Sequence, residues 1–209
     1  MLLNFSQLFE KYNMNIKGVI HIGAHYGQEH GLYKSHSIQN VMYFEPLIKN
    51  YEILKQNVGE DAVLFNLALG NENKEIDMFV ESSNKGMSSS ILEPSVHLTQ
   101  YPWIRFNEKE TVQMKRLDDI EFDRESYNFI NIDVQGYELE VFKGSEKFLE
   151  KVDYIISEIN RDELYKNCTI VDELSDFLSN YGFELVEMNW EGGTWGDGLY
   201  VKNKKYNGA

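Results

Sequence analysis

The chain has 209 residues, which fits one domain, and its apolar content of 42% is enough for a substantial core. Its formal net charge of −14, with 20 lysine and arginine residues against 34 aspartate and glutamate residues, argues against nucleic acid as a partner, because a phosphate backbone requires a basic face. The chain also lacks a membrane-spanning apolar stretch and a basic secretory start, and its single cysteine suits a reducing compartment, so we expect a cytoplasmic protein.

A short run of small residues follows the first two predicted elements, which are an amphipathic helix over residues 3–12 and a buried strand over residues 19–22. The run has the pattern Gly-Ala-x-x-Gly and leads into a predicted helix over residues 28–35. In such a strand–turn–helix unit the small residues let a ligand approach the backbone, and the first N–H groups of the helix face it. The pattern therefore indicates a cofactor cradle, although a plain β–α turn packed by small residues has the same pattern.

The second predicted strand, residues 41–44, ends in Glu45. An acid in this position, roughly 20 residues after a glycine turn, is placed to accept both ribose hydroxyls of a nucleoside cofactor. A solvated strand end is the alternative, and we favour the ribose because of the glycine turn that precedes Glu45. Pro46 then begins a predicted helix over residues 47–57.

Residues 82–110 form a long segment without clear periodicity, after predicted strands over residues 62–67 and 74–81. A segment of this length is usually functional or disordered. Its aromatic residues, Tyr101, Trp103 and Phe106, argue against disorder. We therefore expect a lid on the substrate side of a single domain that covers residues 1–209.

Two carboxylates follow buried strands in the C-terminal half of the chain. The remaining predicted elements are strands over residues 111–115, 129–132, 154–157, 183–188 and 198–201, and helices over residues 137–149 and 171–181. Asp133 and Glu158 each come directly after one of these strands. Ligands of open α/β sheets bind outside the carboxyl ends of the strands, so both acids are expected on the working face. The loop of the last hairpin would bring Trp190, Trp195 and Asp197 to the same cleft.

Alternating strands and helices that close in an antiparallel pair predict a doubly wound α/β sheet of seven mostly parallel strands, with a reversed C-terminal strand. Six segments resemble, in order, the FkbM-type family of S-adenosylmethionine-dependent methyltransferases, which have the Rossmann-like class I fold. They are Val-Ile-His-Ile-Gly-Ala-His-Tyr-Gly (19–27), Phe-Glu-Pro (44–46), Leu-Ala-Leu-Gly-Asn (67–71), Ser-Ser-Ser-Ile-Leu (88–92), Ile-Asp-Val-Gln-Gly-Tyr-Glu-Leu-Glu-Val-Phe-Lys-Gly (132–144) and Gly-Asp-Gly-Leu-Tyr-Val (196–201). The resemblance covers nearly the whole chain.

The resemblance implies a cofactor site position by position. It assigns the methionine part of S-adenosylmethionine to Gly23, Ala24, His25 and Gly27, the ribose to Glu45, the adenine surroundings to Asn66, Leu67 and Ala68, and the sulfonium and acceptor to Asp133. His21 stands where the family commonly has an acid that helps to bind the amino group of the cofactor. Glu29, at the start of the helix, is the candidate substitute.

The implied reaction is O-methylation of a carbohydrate or a similar polyol, because the family mostly methylates hydroxyl oxygens of sugars and polyketide-type products. A protonated alcohol is a poor nucleophile, so a carboxylate within hydrogen-bond reach could take its proton. Asp133 is the first candidate for this base and Glu158 is the second. Glu158 could equally be a capping or supporting acid.

Metal binding and two other functions remain as alternatives. The five histidines lack the flanking acids or cysteines of a zinc site. Asp133, Glu158 and Asp197 could together hold Mg²⁺ or Ca²⁺, but we predict no metal site. A nicotinamide-dependent oxidoreductase would use the same fold, yet His25 replaces the central glycine of its usual turn. A non-catalytic glycan-binding module would explain the aromatic loops but not the cradle.

Overall fold

The structure is a computed structural model that describes residues 1–203. Its helices are α1 (Phe5–Lys11), α2 (His30–Ser35), α3 (Ile48–Val58), α4 (Val96–Gln100), α5 (Glu138–Lys143), α6 (Glu146–Leu149) and α7 (Val171–Ser179). Its strands are β1 (Gly18–Ile22), β2 (Asn40–Phe44), β3 (Val63–Phe65), β4 (Ala68–Leu69), β5 (Lys74–Glu81), β6 (Phe106–Lys115), β7 (Phe129–Ile132), β8 (Tyr154–Asn160), β9 (Phe183–Glu191) and β10 (Trp195–Lys202). Within residues 1–203, no helix has the length and apolar character that crossing a bilayer requires.

The main sheet has seven strands in the order β3-β2-β1-β7-β8-β10-β9. The first five are parallel, and β10 is antiparallel to both of its neighbours. All residues of β1, β7 and β8 are buried, because helices cover both faces of the sheet and the strands are continuous apolar runs at its centre. The predicted doubly wound sheet with a reversed C-terminal strand is confirmed.

A second sheet, in the order β4-β6-β5, was not predicted. Strand β6 begins at Phe106 and not at Thr111, and it pairs with β5 along almost its whole length. The polar residues 107–110 conceal this strand in the sequence, because they have none of the apolar alternation of a half-buried strand. The last five residues of the predicted lid segment therefore belong to a strand, and residues 82–105 connect β5 to β6.

The helix predicted over residues 137–149 is broken into α5 and α6 at Gly144. A Cβ atom at Gly144 would lie 1.9 Å from the carbonyl oxygen of Gly70, so the two backbones meet here. The carbonyl oxygen of Gly144 also accepts a hydrogen bond of 3.1 Å from the N–H of Asp118. These contacts come from distant parts of the chain, and periodicity within the helix cannot reveal them.

The C-terminal strands are longer than predicted. Strand β8 continues to Asn160, because β10 pairs with it beyond the parallel neighbour β7, so Glu158 lies inside the strand and not after its end. Glu158 and Asp197 are directly opposite each other on the two strands. The hairpin loop contains only residues 192–194, and Trp190 and Trp195 belong to the strands on either side.

Candidate active site

Two cavities open at the carboxyl ends of the parallel strands, and Met87, Asp133 and Gln135 line both. Their volumes are about 320 Å³ and 350 Å³, within the roughly 300–1,000 Å³ of small-molecule sites. Eight of the ten predicted cofactor residues line the first cavity: Gly23, Ala24, His25, Glu29, Glu45, Leu67, Ala68 and Asp133. Glu158 lines the second cavity. Ligands in the two cavities would therefore meet at Asp133.

The turn after β1 is held between the ends of two neighbouring strands. The N–H groups of Gly23 and Ala24 both donate to the carbonyl oxygen of Phe44, at 3.0 Å each. Gly23 has a φ angle of 75°, and a Cβ atom there would lie 1.8 Å from the carbonyl oxygen of Asp133. Only glycine fits this position, since both the left-handed backbone and the close approach exclude a side chain.

Two predicted cofactor residues lie outside the cavity and support its walls. A Cβ atom at Gly27 would lie 2.6 Å from Leu54 and 3.0 Å from Val58, so this glycine allows α3 to pack against the turn. The side-chain amide of Asn66 donates to the carbonyl oxygen of Glu45 at 2.9 Å. It therefore fixes the backbone at the end of β2.

Glu45 is buried and bonded at both carboxyl oxygens, with only 4% of its surface exposed. Its Oε2 accepts from the N–H of His25 at 2.8 Å, and its Oε1 accepts from the N–H of Leu47 at 2.9 Å. Burial raises the pKa of Glu45 to about 7, although these hydrogen bonds oppose the shift. The Asn50 side chain also hydrogen-bonds this carboxyl, so a ligand hydroxyl would share it with these three donors.

His21 belongs to a buried polar network and does not replace the acid that the family has there. Its Nδ1 lies 3.2 Å from the hydroxyl of Tyr33, and its Nε2 lies 3.3 Å from the amide nitrogen of Asn131. Burial lowers the pKa of His21, so the ring is neutral at pH 7. Glu29 lines the same cavity, where its carboxylate lies 3.6 Å from the amino group of Met1, so it already faces an ammonium group.

Several buried carboxyl groups surround Asp133. Burial raises the pKa of Glu158 well above its ordinary value, and the neighbouring Asp133 and Glu138 carboxyls raise it further. Glu138 accepts from the N–H groups of Val134 and Gly136 at 3.1 Å each, so it shapes the loop after β7.

Asp197 also lies at this end of the sheet and accepts from the backbone N–H of Leu3 at 3.2 Å and from that of Leu2. Nowhere in residues 1–203 do three histidine, cysteine, aspartate or glutamate side chains lie where they could jointly hold a metal ion.

The second cavity has aromatic walls and an acidic end. Its aromatic residues are His97, Tyr101, Trp103 and Trp195, and its carboxyl residues are Asp133, Glu158 and Glu191. The indole N–H of Trp195 donates to the hydroxyl of Tyr101 at 2.8 Å. Lysine and arginine are absent from the lining, as far as residues 1–203 define it. Half of the lining comes from the connection 82–105, whereas Trp190 lies outside, 3.8 Å from the guanidinium of Arg161.

Sequence reasoning assigned no role to Gln135 or Tyr165. Gln135 has a φ angle of 56°, and its side chain lies between Asp133 and Glu158. The hydroxyl of Tyr165, which follows β8 in the chain, contacts the same side chain. The available signal for Gln135 was its place between a strand-ending acid and Gly136, where a turn is forced. Tyr165 gives no such signal, because its contact joins residues 30 positions apart.

Comparison with known proteins identifies the family and supports the fold. A relative, the 2-O-methyltransferase NoeI of Sinorhizobium fredii (strain NBRC 101917 / NGR234), is 35% identical over 153 residues, which cover 68% of this chain and 62% of that protein. The chain thus spans less than two thirds of the length of this relative.

Two solved structures share the fold. Magnesium protoporphyrin IX methyltransferase (ChlM) from Synechocystis PCC 6803, with bound SAM, has a TM-score of 0.54 and 10% identity, over 95% of this chain and 76% of its own. Sp1610 of Streptococcus pneumoniae, in complex with S-adenosyl-L-methionine, has a TM-score of 0.54 and 15% identity, over 100% of this chain and 77% of its own. The family model described as the methyltransferase FkbM domain matches residues 21–185, and the chain belongs to this family.

Proposed function

We propose that the protein transfers the methyl group of S-adenosylmethionine to a hydroxyl oxygen of a neutral carbohydrate or similar polyol. The observation that carries this proposal is the pair of cavities that meet at Asp133. One has the cradle and the buried acid of a nucleoside site, and the other has the aromatic walls of an acceptor site. The name of NoeI, a 2-O-methyltransferase, supports oxygen as the methylated atom.

The first cavity fits the chemistry of the cofactor. At the β3–β2 side, Glu45 lies beside the apolar residues Leu67, Ala68 and Met78, which suits a ribose and an adenine ring. Glu29 provides a carboxylate for an amino group, and the left-handed turn at Gly23 brings the backbone close to the ligand. His21 is neutral, so the binding of the ligand amino group falls to Glu29.

The residues of this chain have three tasks in the reaction. S-adenosylmethionine supplies, when bound, a methyl group on a sulfonium that is already a strong donor. The protein aligns the acceptor hydroxyl, excludes water and takes the proton that the oxygen loses as its bond to carbon forms. Asp133 lines both cavities, so it is placed to receive this proton.

The charge of the second cavity favours a neutral acceptor. Its lining contains three carboxyl residues and, within residues 1–203, no lysine or arginine, so an anionic sugar would be repelled and left without a counter-charge. Flat aromatic side chains such as Trp195 and Tyr101 suit the apolar faces of sugar rings.

Calorimetry with S-adenosylhomocysteine, NAD and a panel of neutral and acidic sugars tests the proposal against both alternatives. We expect S-adenosylhomocysteine to bind and NAD not to bind. Radiolabelled S-adenosylmethionine should then transfer its methyl group to a neutral sugar of the panel in preference to uronic acids. Binding of NAD alone would favour the oxidoreductase, and binding of sugars without any nucleoside would favour the glycan-binding module.

Glu45→Gln should weaken the binding of S-adenosylhomocysteine by about 1–3 kcal/mol, since it removes charge-assisted hydrogen bonds to the ribose. The wild-type affinity should also fall as the pH falls below about 7, because the raised pKa of Glu45 means that the free protein takes up a proton that binding must release. The variant should lose this pH dependence. Calorimetry between pH 5.5 and 8.5 measures both effects.

Glu52→Gln provides the matched control, because it makes the same charge change on an exposed residue of α3. Its affinity and pH dependence should equal those of the wild type. If Glu45→Gln binds S-adenosylhomocysteine as tightly as the wild type does, the ribose does not lie at Glu45.

Residues 82–105 should become protected from hydrogen exchange when S-adenosylhomocysteine binds, because Gly86, Met87, Ser89 and Ile91 line the first cavity. We expect the largest change near Lys85, whose carbonyl oxygen lies 2.8 Å from Nε2 of His25 in the cradle. Residues 106–110 provide an internal control, since their pairing with β5 should protect them in both states. Equal and strong protection of residues 82–105 in both states would contradict a lid.

A further inference from the structure

The side-chain amide of Gln135 lies between the two candidate bases. Its Nε2 donates to Oδ1 of Asp133 at 2.7 Å and to Oε2 of Glu158 at 2.6 Å. The distance to Asp133 is that of a charge-assisted hydrogen bond, as expected when this carboxyl is ionised. The left-handed backbone of Gln135, with a φ angle of 56°, is what directs this side chain back over the strand ends. Few residues other than glycine adopt that conformation, so this position carries some strain.

The other end of the Gln135 amide contacts Tyr165. The Tyr165 hydroxyl lies 2.8 Å from Oε1 of Gln135 and 2.8 Å from the carbonyl oxygen of Ser88. The hydroxyl has one proton for these two acceptors, so the orientation of the amide is decided on its other side, where an ionised carboxylate of Asp133 requires the NH₂ group. The reverse orientation would direct the amide oxygen at two carboxyl groups, and it is unfavourable.

We propose that Gln135 is a positioning residue that holds Asp133 and Glu158 together as a pair sharing one proton, with Tyr165 in contact with the far end of its amide. The inference rests on the proposed function for the task of the pair, which is to accept the proton of the acceptor hydroxyl. Two carboxyl groups this close, one of them only 3% exposed, cannot both ionise at low cost. Asp133 is the exposed member, so it carries the charge and Glu158 carries the proton.

Other charged and titratable groups face the pair and act on its proton. From neighbouring elements these groups are the Glu138 and Asp197 carboxyls, the Met1 amino group, the Tyr165 and Tyr101 hydroxyls, His97 and Glu191. The acidic groups among them favour the protonated form of the pair, whereas the donors of Gln135 favour its charged form. Removing the donors should therefore make the pair harder to ionise.

The test is a carboxyl-carbon NMR titration of the full chain labelled with ¹³C at the Asp and Glu carboxyls, with no ligand present. Spectra of Asp133→Asn and Glu158→Gln assign the two signals. Gln135→Met keeps the volume and removes both donors, so we expect the pair to titrate about one pH unit or more higher than in the wild type. Tyr165→Phe frees the amide and should shift the titration in the same direction by a smaller amount.

Ser90→Ala provides the control for a merely structural effect. It removes a hydrogen bond of 2.8 Å from the Ser90 hydroxyl to the backbone carbonyl of Gln135, and leaves the side-chain amide untouched. Its titration should match that of the wild type. If Gln135→Met lowers the melting temperature but leaves both signals unmoved, Gln135 is a structural residue and the proposal is wrong. Independent titration of Asp133 and Glu158 in the wild type would also overturn it.

The titration requires neither cofactor nor acceptor, so its failure is distinct from failure of the proposed methyl transfer. Once an acceptor is known, steady-state kinetics provide a second test of the positioning role. Gln135→Met should lower kcat and move the acidic limb of the pH profile to higher pH. A changed KM for S-adenosylmethionine with an unmoved pH profile would contradict the positioning role.

Discussion

Asp133→Asn should reduce turnover about a hundredfold or more, the contribution typical of a general base. Asparagine keeps the shape of the side chain but cannot take a proton from the acceptor hydroxyl. Asp133 follows β7 at the junction of the two cavities, and in this structure it is the more exposed of the two candidate bases. Binding of S-adenosylhomocysteine, which carries no sulfonium charge, should mostly survive.

Glu158→Gln provides the comparison for this prediction. Burial and the neighbouring Asp133 and Glu138 carboxyls raise the pKa of Glu158 and favour its protonated form, so a neutral amide should cost much less turnover than Asp133→Asn does. Steady-state kinetics and calorimetry with both S-adenosylmethionine and S-adenosylhomocysteine separate the roles. If Asp133→Asn weakens only the binding of S-adenosylmethionine, Asp133 mainly stabilises the sulfonium. Near-normal turnover of Asp133→Asn, with an inactive Glu158→Gln, would assign the base to Glu158.

Gly23→Ala should lower the free energy of unfolding by about 2–5 kcal/mol, the combined scale of a left-handed non-glycine residue and an overpacked contact. The new Cβ atom would lie 1.8 Å from the carbonyl oxygen of Asp133, a backbone atom that cannot move without shifting β7. Both cavities adjoin this contact, so the folded fraction should also lose affinity for S-adenosylhomocysteine. Chemical denaturation and calorimetry measure the two losses.

Gly31→Ala, eight residues further along the chain, is the matched control. A Cβ atom at Gly31 would meet no atom within 4 Å, and the residue lies exposed in α2. Alanine is the better helix former, so this change should leave stability unaltered or raise it by up to about 1 kcal/mol. If Gly23→Ala were as stable as Gly31→Ala, the close approach between the turn and β7 would not exist in solution.

The buried parallel strands could be predicted well, because each reads as a short apolar run that ends in a turn residue or an acid. Runs such as residues 19–22 and 129–132 differ from the true strands by one residue at most. The topology then places Glu45 and Asp133 at one edge of the sheet without further information. The FkbM-type resemblance supplied what periodicity cannot, namely the identity of the cofactor.

The remaining features depend on contacts between distant residues. Glu158 lies within β8 because β10 pairs with it, and the break at Gly144 exists because Gly70 crosses there. The early start of β6 depends in the same way on pairing with β5, since three of the five residues 106–110 are charged. The position of Gln135 between two carboxyls follows from its backbone conformation and from Tyr165, and no local pattern encodes either.

The separate three-stranded sheet bears on how relatives with other acceptors could arise. Residues 82–105 join two strands that pair with each other along almost their whole length, so the ends of this connection are held at a constant distance. Doubling the length of a flexible loop costs only about 0.6 kcal/mol in closure entropy. Grafting a different connection between β5 and β6 would thus replace half of the lining of the second cavity and four lining residues of the first, while β1, β2 and β7 kept the turn at Gly23 and the Glu45 carboxyl in place. On the proposed assignment of the second cavity to the acceptor, chimeras that exchange this connection should change which acceptor is methylated.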